Sequence, residues 1–540
     1  MPLSYATTNR RKTSQTEPIP GENQVKNNAG GYVWEVGVWE RLNRFLILGS
    51  DTNTYYQSAP ELTRENTANV EKAIKANGPR AVDVICEVSL AGRAPKQEPA
   101  IFALALAASI GDDETRKYAL QRMPEVCRTG TALFHFAAYC DNLRGWGRGL
   151  RNSVGAWYTS KSPRDLGYQL IKYQQRDGWG HRDLLRLAHP TGDHEHDLLF
   201  RYACYGVLPE ALVTPAFAQI VAAESLKEPH IPHKRAAEII VDNHLPRECV
   251  PTELLTLPEI WEALLQDMPM TALIRNLATM TRIGLLEPMS ASTLLVVEKL
   301  SNGGYLKAAR VHPITVLSAL KTYAQGHGER GKNTWNPVSK ITDGLDAAFY
   351  ETFQYVEPTN KRIMVAVDVS GSMGAQSGFS GLTSRDIAAV MAMVIDRTEP
   401  NAAIFGFSTQ FIPLDISSRR RLDDVVSYMA KMPFGGTNCA LPMEEAAKRK
   451  VHVDAFVEIT DNETWAGRQG HPAQALKAYR NAIGMPAKLA VAAVTSTGFT
   501  IADPNDSGML DLVGFDSSAP TVINDFIRAD VRPEIETERA

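Results

Sequence analysis

Several features are scarce or missing in this chain of 540 residues. No run of about 18 apolar residues occurs in it, so we expect no transmembrane helix and no contact with a membrane. Its cysteines form no C-x-x-C pair, which argues against a zinc or redox motif and suits a reducing compartment. The formal net charge is only −4, so a site for a polyanion must be a local patch. The six cysteines are Cys86, Cys127, Cys140, Cys204, Cys249 and Cys439.

The chain is too long for one ordinary hydrophobic core. Apolar residues make up 44% of it and charged residues 22%, which are values typical of soluble globular proteins. We therefore expect two or more domains. Residues 1–28 are polar and lack the apolar core of a signal peptide, so we predict a disordered tail and a cytoplasmic protein.

Helical periodicity dominates from residue 63 to about residue 356. Apolar residues recur there at 3.6-residue spacing, and glycines and prolines divide the pattern at short intervals. Because so many short helices are hard to bury around one core, we predict a helical solenoid for residues 29–358, with an irregular helical bundle as the alternative. The helices predicted include residues 66–77, 81–91, 100–110, 131–143, 150–158, 166–174, 236–241, 260–265, 272–280, 292–300, 313–323 and 341–353.

The periodicity changes after Pro358. Short apolar runs at residues 363–367, 402–407, 453–459 and 489–494 alternate with helical segments. This alternation predicts a doubly wound parallel sheet for residues 361–540.

Oxygen-bearing side chains follow two strands of this predicted sheet and stand before one of its helices. The first strand runs directly into Asp368, Ser370 and Ser372, and later loops carry Thr437 and Asp461. The carboxyl ends of parallel strands meet at one edge of a sheet, so these loops should lie together. Carboxylates and hydroxyls suit a hard cation, and we predict a Mg²⁺ site. Any one of these residues alone would be a turn residue or a helix cap.

A basic stretch lies within the predicted helical part. Residues 144–186 contain nine Lys or Arg residues and three Asp residues, and aromatic residues are interspersed. Cationic side chains bind phosphates, and aromatic rings stack on unpaired bases, so the stretch predicts RNA binding. The alternative is a set of solvated helix faces with tryptophans in the core. The candidates from this stretch are Arg148, Arg151, His181, Arg182 and Arg186.

One glycine-rich segment imitates a phosphate-binding loop. Residues 326–333 fit the spacing of that motif, but they follow a helix rather than a strand. Asn333 also stands where the motif needs Ser or Thr. We therefore exclude nucleotide binding there, and no segment predicts an enzyme.

The spacing Asp-x-Ser-x-Ser, with the later Thr and Asp, resembles the metal-ion-dependent adhesion site of von Willebrand factor A domains. Further segments along nearly the whole chain resemble the Ro (SS-A) ribonucleoprotein family. These segments are residues 30–34, 45–50, 264–269, 310–313, 345–350, 460–464, 471–473, 486–489 and 498–504.

The resemblance implies a TROVE module built as a closed, monomeric ring of HEAT-like helical repeats, followed by the A domain. Residues 172–189 are similar to a family segment whose Lys, Arg and final His contact RNA, here Lys172, Arg176 and His189. Lys172 and Arg176 are four residues apart, so we predict that they share a helix face. Residues 190–196 lack the basic continuation common in the family.

The resemblance also implies a function. It suggests a ribonucleoprotein component that binds small Y-type RNA on the outer face of the ring. Single-stranded ends of misfolded or decaying RNA would enter the hole, in RNA quality control or processing with an exoribonuclease partner. The alternative hypothesis is a metal-dependent protein-adhesion scaffold that binds no RNA.

Overall fold

The computed structural model describes residues 12–49, 68–208, 214–328, 333–353, 356–375, 382–432, 435–468, 470–495 and 497–529. These residues form two compact units. The helical unit contains residues 45–49 and 68–353, and the A unit contains residues 12–44 together with residues 356–529. The chain begins with β1 (Gln24–Lys26), β2 (Tyr32–Glu35) and α1 (Val38–Leu48).

The helical unit consists of short helices and one small hairpin of strands. Its elements are α2 (Ala68–Ala76), α3 (Gly78–Ala91), α4 (Glu98–Ile110), α5 (Asp113–Val126), α6 (Gly130–Leu143), α7 (Arg148–Thr159), α8 (Pro163–Lys172), β3 (Gln175–Arg176), β4 (Trp179–Gly180), α9 (His181–Ala188), α10 (His194–Tyr205), α11 (Pro215–Ser225), α12 (His233–Asp242), α13 (Pro258–Asp267), α14 (Met270–Arg282), α15 (Ala291–Leu300), α16 (Gly303–Ala308), α17 (Pro313–Ala324) and α18 (Ser339–Glu351).

Local sequence explains where many of these helices begin and end. The Asn77 side chain accepts a hydrogen bond from the Arg80 amide at 3.0 Å and caps the start of α3, whose first turn contains a proline. Gly92 ends the same helix in the left-handed region, at φ +68°. The interior of α4 is apolar on all sides, and this helix is accordingly buried among its neighbours.

The first helices stack in two layers. α3 packs on α5, α4 on α6, α5 on α7 and α7 on α9, so that helices two apart along the chain are neighbours. This arrangement is typical of helical repeats and confirms the predicted repeat architecture. A hydrogen bond also joins the two ends of the array, because His312, which caps α17, contacts the Arg93 carbonyl just after α3 at 3.1 Å.

Several elements differ from the sequence-based predictions. Helices α1, α5, α9, α10, α11 and α16 are not among those that the sequence predicts individually. The predicted helix 166–174 ends at Lys172, and Arg176 lies in strand β3, so the prediction that these two residues share a helix face is wrong. The chain turns there because Asp177 and Gly178 adopt positive φ angles and form a hairpin. Residues 329–332 of the glycine-rich segment lie outside the described residues.

The A unit is built on a six-stranded sheet with helices between its strands. Its elements are β5 (Ile363–Asp368), α19 (Ser384–Thr398), β6 (Ala402–Phe407), β7 (Phe411–Pro413), α20 (Leu422–Ala430), α21 (Leu441–Lys448), β8 (Ala455–Thr460), α22 (Pro472–Ile483), β9 (Lys488–Ala493), β10 (Phe499–Thr500), β11 (Met509–Val513) and α23 (Ala519–Arg528). The strand order is β11-β9-β8-β5-β6-β7.

All neighbouring strands of this sheet are parallel except β6 and β7. β5 lies between β6 and β8, with Val365 opposite both Ile404 and Val457. Strands β5, β8 and β9 are buried throughout, as expected for a sheet covered on both faces. The doubly wound parallel sheet is therefore confirmed, with one antiparallel strand at its edge.

Residues 12–28 are ordered against the A unit, and the prediction of a disordered tail is wrong for them. Gln15 and Ile19 are buried. β1 and β2 form a three-stranded sheet with β10. The polar composition suggested disorder, but polar side chains of this segment form buried hydrogen bonds with loops of the A unit. Residues 1–11 lie outside the described residues.

Throughout the described part of the chain, every helix is too short or too polar to cross a membrane.

Candidate functional site

The fully buried strand β5 ends at Asp368, on the carboxyl edge of the sheet. The Asp368 carboxylate accepts hydrogen bonds from the Ser370 amide at 2.9 Å and from the Thr460 hydroxyl at 2.7 Å. Thr460 is the last residue of the neighbouring strand β8. Two adjacent strands therefore hold this carboxylate in a fixed orientation.

The two serines after Asp368 lie within the same buried cluster. The hydroxyl oxygens of Ser370 and Ser372 are 3.0 Å apart. Arg385, on α19, donates a hydrogen bond to the Ser370 carbonyl at 3.1 Å from behind the loop. The Ser372 hydroxyl lies close enough to Asp461 to lower the pKa of that carboxyl, so the first loop approaches the loop that follows β8.

Asp461 is buried directly after β8. One of its carboxylate oxygens accepts the Glu463 amide at 3.0 Å. The other, Oδ2, is buried and has no hydrogen-bond partner among the residues that the structure describes. Burial raises the pKa of Asp461, and burial together with the charge of Asp461 raises the pKa of Asp368 to about 7. Burial therefore outweighs the hydrogen bonds that favour the charged form at both carboxylates.

Thr437 precedes α21 on a third loop and is buried. Its carbonyl accepts hydrogen bonds from the amides of Trp465 at 3.0 Å and Ala466 at 2.8 Å, on the Asp461 side. On the other side, the Gly371 amide donates to the Gly435 carbonyl at 3.3 Å. Backbone hydrogen bonds thus link all three loops of the predicted metal site.

The donor set fits a small hard cation. Two buried carboxylates and three buried hydroxyls supply oxygen atoms only, which is the preference of Mg²⁺. The buried Asp461 Oδ2, which accepts no hydrogen bond from any described residue, is an oxygen that a cation could bind. Within the described ranges, no three His, Cys, Asp or Glu side chains gather into another metal cluster.

The candidate RNA-binding arginines lie in the helical unit on packed neighbouring elements. Arg148 and Arg151 are in the first turns of α7, and Arg182 and Arg186 are one turn apart on α9, which packs on α7. All four side chains are exposed, and so is Arg176. In the part of the chain that the structure describes, no carboxylate forms an ion pair with any of these five arginines.

The β3–β4 hairpin places Arg176 beside α7. Arg176 pairs across the hairpin with Trp179, whose ring centroid is 5.4 Å from that of Trp146, just before α7. His135 on α6 contacts the Asp177 carboxylate at the tip of the hairpin. These contacts place the half-buried indole rings of Trp146 and Trp179 beside the exposed Arg176.

The remaining predicted RNA contacts have different environments. Lys172 is half-buried at the end of α8 and donates a hydrogen bond to the Tyr168 hydroxyl at 2.9 Å. His189 is exposed and ends α9 in the left-handed region. His181 is only 5% exposed, and burial lowers its pKa to about 4. As a neutral core residue it does not present its ring to RNA in this conformation, which corrects the prediction for this position.

We call the exposed Arg148, Arg151, Arg176, Arg182 and Arg186 the arginine surface. Two residues of α10 extend this surface, and they were not predicted from the sequence. Tyr205 is 70% exposed, and the Arg186 guanidinium lies 5.9 Å from the centre of its ring. Arg201 is exposed one turn earlier on α10, which packs on α9. The four-residue spacing of Arg201 and Tyr205 would have signalled this face, had α10 been predicted as a helix.

Family comparisons agree with both units. The profile described as the Ro60 vWA domain matches residues 362–527, and the profile of the TROVE domain matches residues 25–214 and 214–322. The chain belongs to the Ro60 family. The TROVE match begins at residue 25, although residues 25–44 pack within the A unit.

Curated Ro60 relatives align with almost the whole chain. The RNA-binding protein RO60 of Deinococcus radiodurans is 42% identical over 522 residues, which cover 96% of this chain and 97% of that protein. The RNA-binding protein RO60 of Caenorhabditis elegans is 35% identical over 599 residues, covering 97% of this chain and 92% of that protein.

A solved Ro60-type structure has the same fold. The crystal structure of the Deinococcus radiodurans RO (RSR) protein superimposes with a TM-score of 0.70 at 41% sequence identity, covering 91% of this chain and 99% of that one. The predicted family and the predicted fold class are both confirmed.

Proposed function

We propose that this protein binds RNA through the arginine surface of its helical unit. The observation that carries the proposal is the group of five exposed arginines that form no ion pair with any described residue: Arg148, Arg151, Arg176, Arg182 and Arg186. Cations without carboxylate partners keep their full attraction for phosphates, and they release counterions from RNA when it binds. The net charge of the whole chain is −4, so this surface is a local concentration of positive charge.

Aromatic rings give the same surface a means of holding unpaired bases. Tyr205 exposes most of its ring beside Arg186, and the Trp146–Trp179 pair lies beside Arg176. Stacking of a base on an exposed aromatic ring contributes about 1–3 kcal/mol and tolerates any sequence. This chemistry favours single-stranded segments over a continuous duplex.

The proposed identity of the RNA ligands rests on the family relationship. The two curated Ro60 relatives are named RNA-binding proteins. By that relationship we propose that the ligands are a small Y-type RNA on the outer ring face and single-stranded ends of misfolded or decaying RNA in the ring hole. The protein would serve RNA quality control or processing beside an exoribonuclease and would cleave no RNA itself.

We further propose that the A unit binds Mg²⁺. Asp368, Ser370, Ser372, Thr437 and Asp461 would hold the ion, directly or through water. A bound Mg²⁺ would supply positive charge between the two carboxylates and a coordination position for a water or a partner's carboxylate. The support is the buried, unpartnered oxygen of Asp461 within an all-oxygen donor set.

The RNA proposal can be tested by fluorescence anisotropy with a labelled RNA hairpin that carries a single-stranded 3′ end. For the double variant Arg182→Ala with Arg186→Ala, we expect weaker binding. The slope of log K against log salt concentration should become shallower by about 0.7 for each phosphate contact that the variant loses, or by about 1.4 for two contacts. The double variant Lys448→Ala with Arg449→Ala removes the same charge from exposed positions at the end of α21 and should bind like the wild type.

Equal losses of affinity in both double variants would show that only total charge matters, and no loss in either would contradict the assignment of this surface. The alternative function, a metal-dependent adhesion scaffold without RNA, predicts no binding of the hairpin at all. It also predicts that the purified protein carries no bound nucleic acid, so nuclease treatment should remove none.

A further inference from the structure

The N-terminal segment, residues 12–31, lies along two of the three loops that carry the candidate metal ligands. Its backbone is joined to them, since the Gln15 amide donates to the Gly467 carbonyl at 2.9 Å. The Gln15 carbonyl in turn accepts the Tyr32 amide at 2.8 Å, which fixes the segment to the start of β2. The segment therefore behaves as part of the A unit, although some 400 residues of sequence separate it from these loops.

The side chain of Gln15 bridges the two loops. Its amide nitrogen donates to Asn438 Oδ1 at 2.8 Å, next to Thr437, and to the Gly470 carbonyl at 3.1 Å. Its amide oxygen accepts the Thr464 hydroxyl at 2.6 Å and the Gly467 amide at 3.1 Å. The side chain is fully buried, and its donors and acceptor are all satisfied.

Two asparagines of the segment contact the Asp461 loop itself. Asn27 donates to the Thr464 carbonyl at 2.8 Å, and Asn28 donates to the Glu463 carboxylate at 2.8 Å. The Ala29 amide donates to the other oxygen of Glu463 at 3.1 Å. Glu463 is two residues from Asp461, so these bonds restrain the backbone that directs the Asp461 carboxylate.

Ligands on separate loops bind a small cation well only if the loops keep a fixed spacing. Mg²⁺ needs near-octahedral geometry at short distances, and mutation of a residue that orients a metal ligand typically lowers metal affinity about 10- to 100-fold. The Trp465 amide also joins these loops through the Thr437 carbonyl, so loss of Gln15 should loosen the site without destroying it.

We propose that the N-terminal segment is a positioning element of the metal site, and that Gln15 is the residue that sets the spacing of the Thr437 and Asp461 loops. This proposal rests on the proposed Mg²⁺ site. It assigns a role in the A unit to residues that precede the whole helical unit in sequence.

Binding of Mn²⁺ to the full-length chain, followed by electron paramagnetic resonance, tests the proposal without any functional assay. Gln15→Met keeps the bulk of the side chain but removes its hydrogen bonds, and we expect a Kd for Mn²⁺ about tenfold higher than that of the wild type. The matched control is Asn23→Ala in the same segment, because the Asn23 side chain is exposed and forms no hydrogen bond with any described residue. It should bind Mn²⁺ like the wild type.

Other variants separate the possible failures. Asp461→Asn should abolish binding, and a wild-type protein that binds no Mn²⁺ would overturn both the metal site and this proposal. If the wild type binds and Asp461→Asn does not, an unchanged Kd in Gln15→Met would overturn the positioning role alone. A lower unfolding temperature with that unchanged Kd would mean that Gln15 serves only stability.

Asn28→Ala provides a second measurement in case Gln15→Met does not fold. Asn28 is exposed, so its loss should be tolerated, and removal of its side-chain bond to Glu463 should raise the Kd about threefold. An unchanged Kd in this folded variant would also count against the segment as a positioning element.

Discussion

His181 is held neutral by its burial, and both of its ring nitrogens have partners. The Tyr158 hydroxyl donates to Nδ1 at 2.8 Å, and Nε2 donates to the Gln169 carbonyl at 3.3 Å. A proton on Nδ1 would break the bond from Tyr158 and would place a charge inside the core. Burial of that charge lowers the pKa of His181 to about 4, compared with 6.5 for a free histidine, although the hydrogen bond to Gln169 acts in the opposite direction.

The lowered pKa makes the stability of the helical unit depend on pH. The unfolded chain takes up a proton at His181 near pH 6.5, whereas the folded chain resists it until about pH 4. The stabilisation is therefore complete above pH 6.5 and declines as the pH falls toward 4. As the pH falls from about 7.5 to about 5, we expect the titration of His181 to lower the free energy of unfolding by about 2 kcal/mol.

Urea unfolding followed by tryptophan fluorescence at these two pH values measures the effect. His181→Gln retains a donor and an acceptor but does not titrate, so its free energy of unfolding should change less with pH than that of the wild type. The same pH dependence in both proteins would contradict the assignment to His181.

At this scale the sequence predicted the chemistry of side chains better than their exposure. The arginines of α7 and α9 were expected at the surface and are exposed there. His181 was grouped with them, but it stands at the first position of α9 and turns toward Phe134 and Tyr158. Its neighbours in the sequence, Gly180 and Arg182, carry no sign of that packing.

Among the elements, long apolar runs were predicted well, and short or polar elements were not. Strands β5, β6, β8 and β9 are mainly apolar stretches, which are typical of a buried parallel sheet. β7 has three residues and includes a proline, so it has too little pattern to detect. β1 and β2 escaped prediction because their stability comes from buried hydrogen bonds to distant loops.

The packing of β2 on the Asp461 loop depends on one glycine. A Cβ atom on Gly31 would lie 1.8 Å from the Thr464 carbonyl oxygen and 2.9 Å from its carbon, both of which are backbone atoms. Backbone cannot move aside as a flexible side chain can. We expect Gly31→Ala to destabilise the A unit by about 2 kcal/mol and to reduce hydrogen-exchange protection in residues 24–35 and 460–467 together.

Gly37→Ala is the comparison for this variant. A Cβ atom there would meet only the Glu40 carboxylate, the far end of a side chain that can change rotamer. Its cost should stay below about 1 kcal/mol. If Gly31→Ala were as stable as Gly37→Ala, the close approach of β2 to the loop would not be a feature of the folded protein in solution.

For the molecule as a whole, sequence order is a poor guide to which segments fold together. The change of period after Pro358 correctly separated a helical part from an α/β part. It gave no sign that residues 12–44 belong with the later part, because pairing of β2 with β10 joins residues more than 450 positions apart. Closure of the helical array was likewise expected only from the family resemblance, since helix count and length do not determine it.

His312 joins α17 to the segment that follows α3. Its Nδ1 accepts the Ile314 amide at 3.1 Å and caps α17, so the other nitrogen, Nε2, carries the hydrogen and donates to the Arg93 carbonyl at 3.1 Å. His312→Asn can keep the cap but is too short to reach Arg93, and it should cost about 1 kcal/mol. His312→Ala removes both bonds and should cost about 2 kcal/mol.

Hydrogen exchange distinguishes closure from local capping. In an open array, helices near the two ends would lose protection independently, because each contacts only its neighbours. If the bond from His312 to Arg93 joins the ends, His312→Asn should lower protection at the end of α3 as well as at the start of α17. A decrease confined to α17 would mean that His312 acts only as a helix cap.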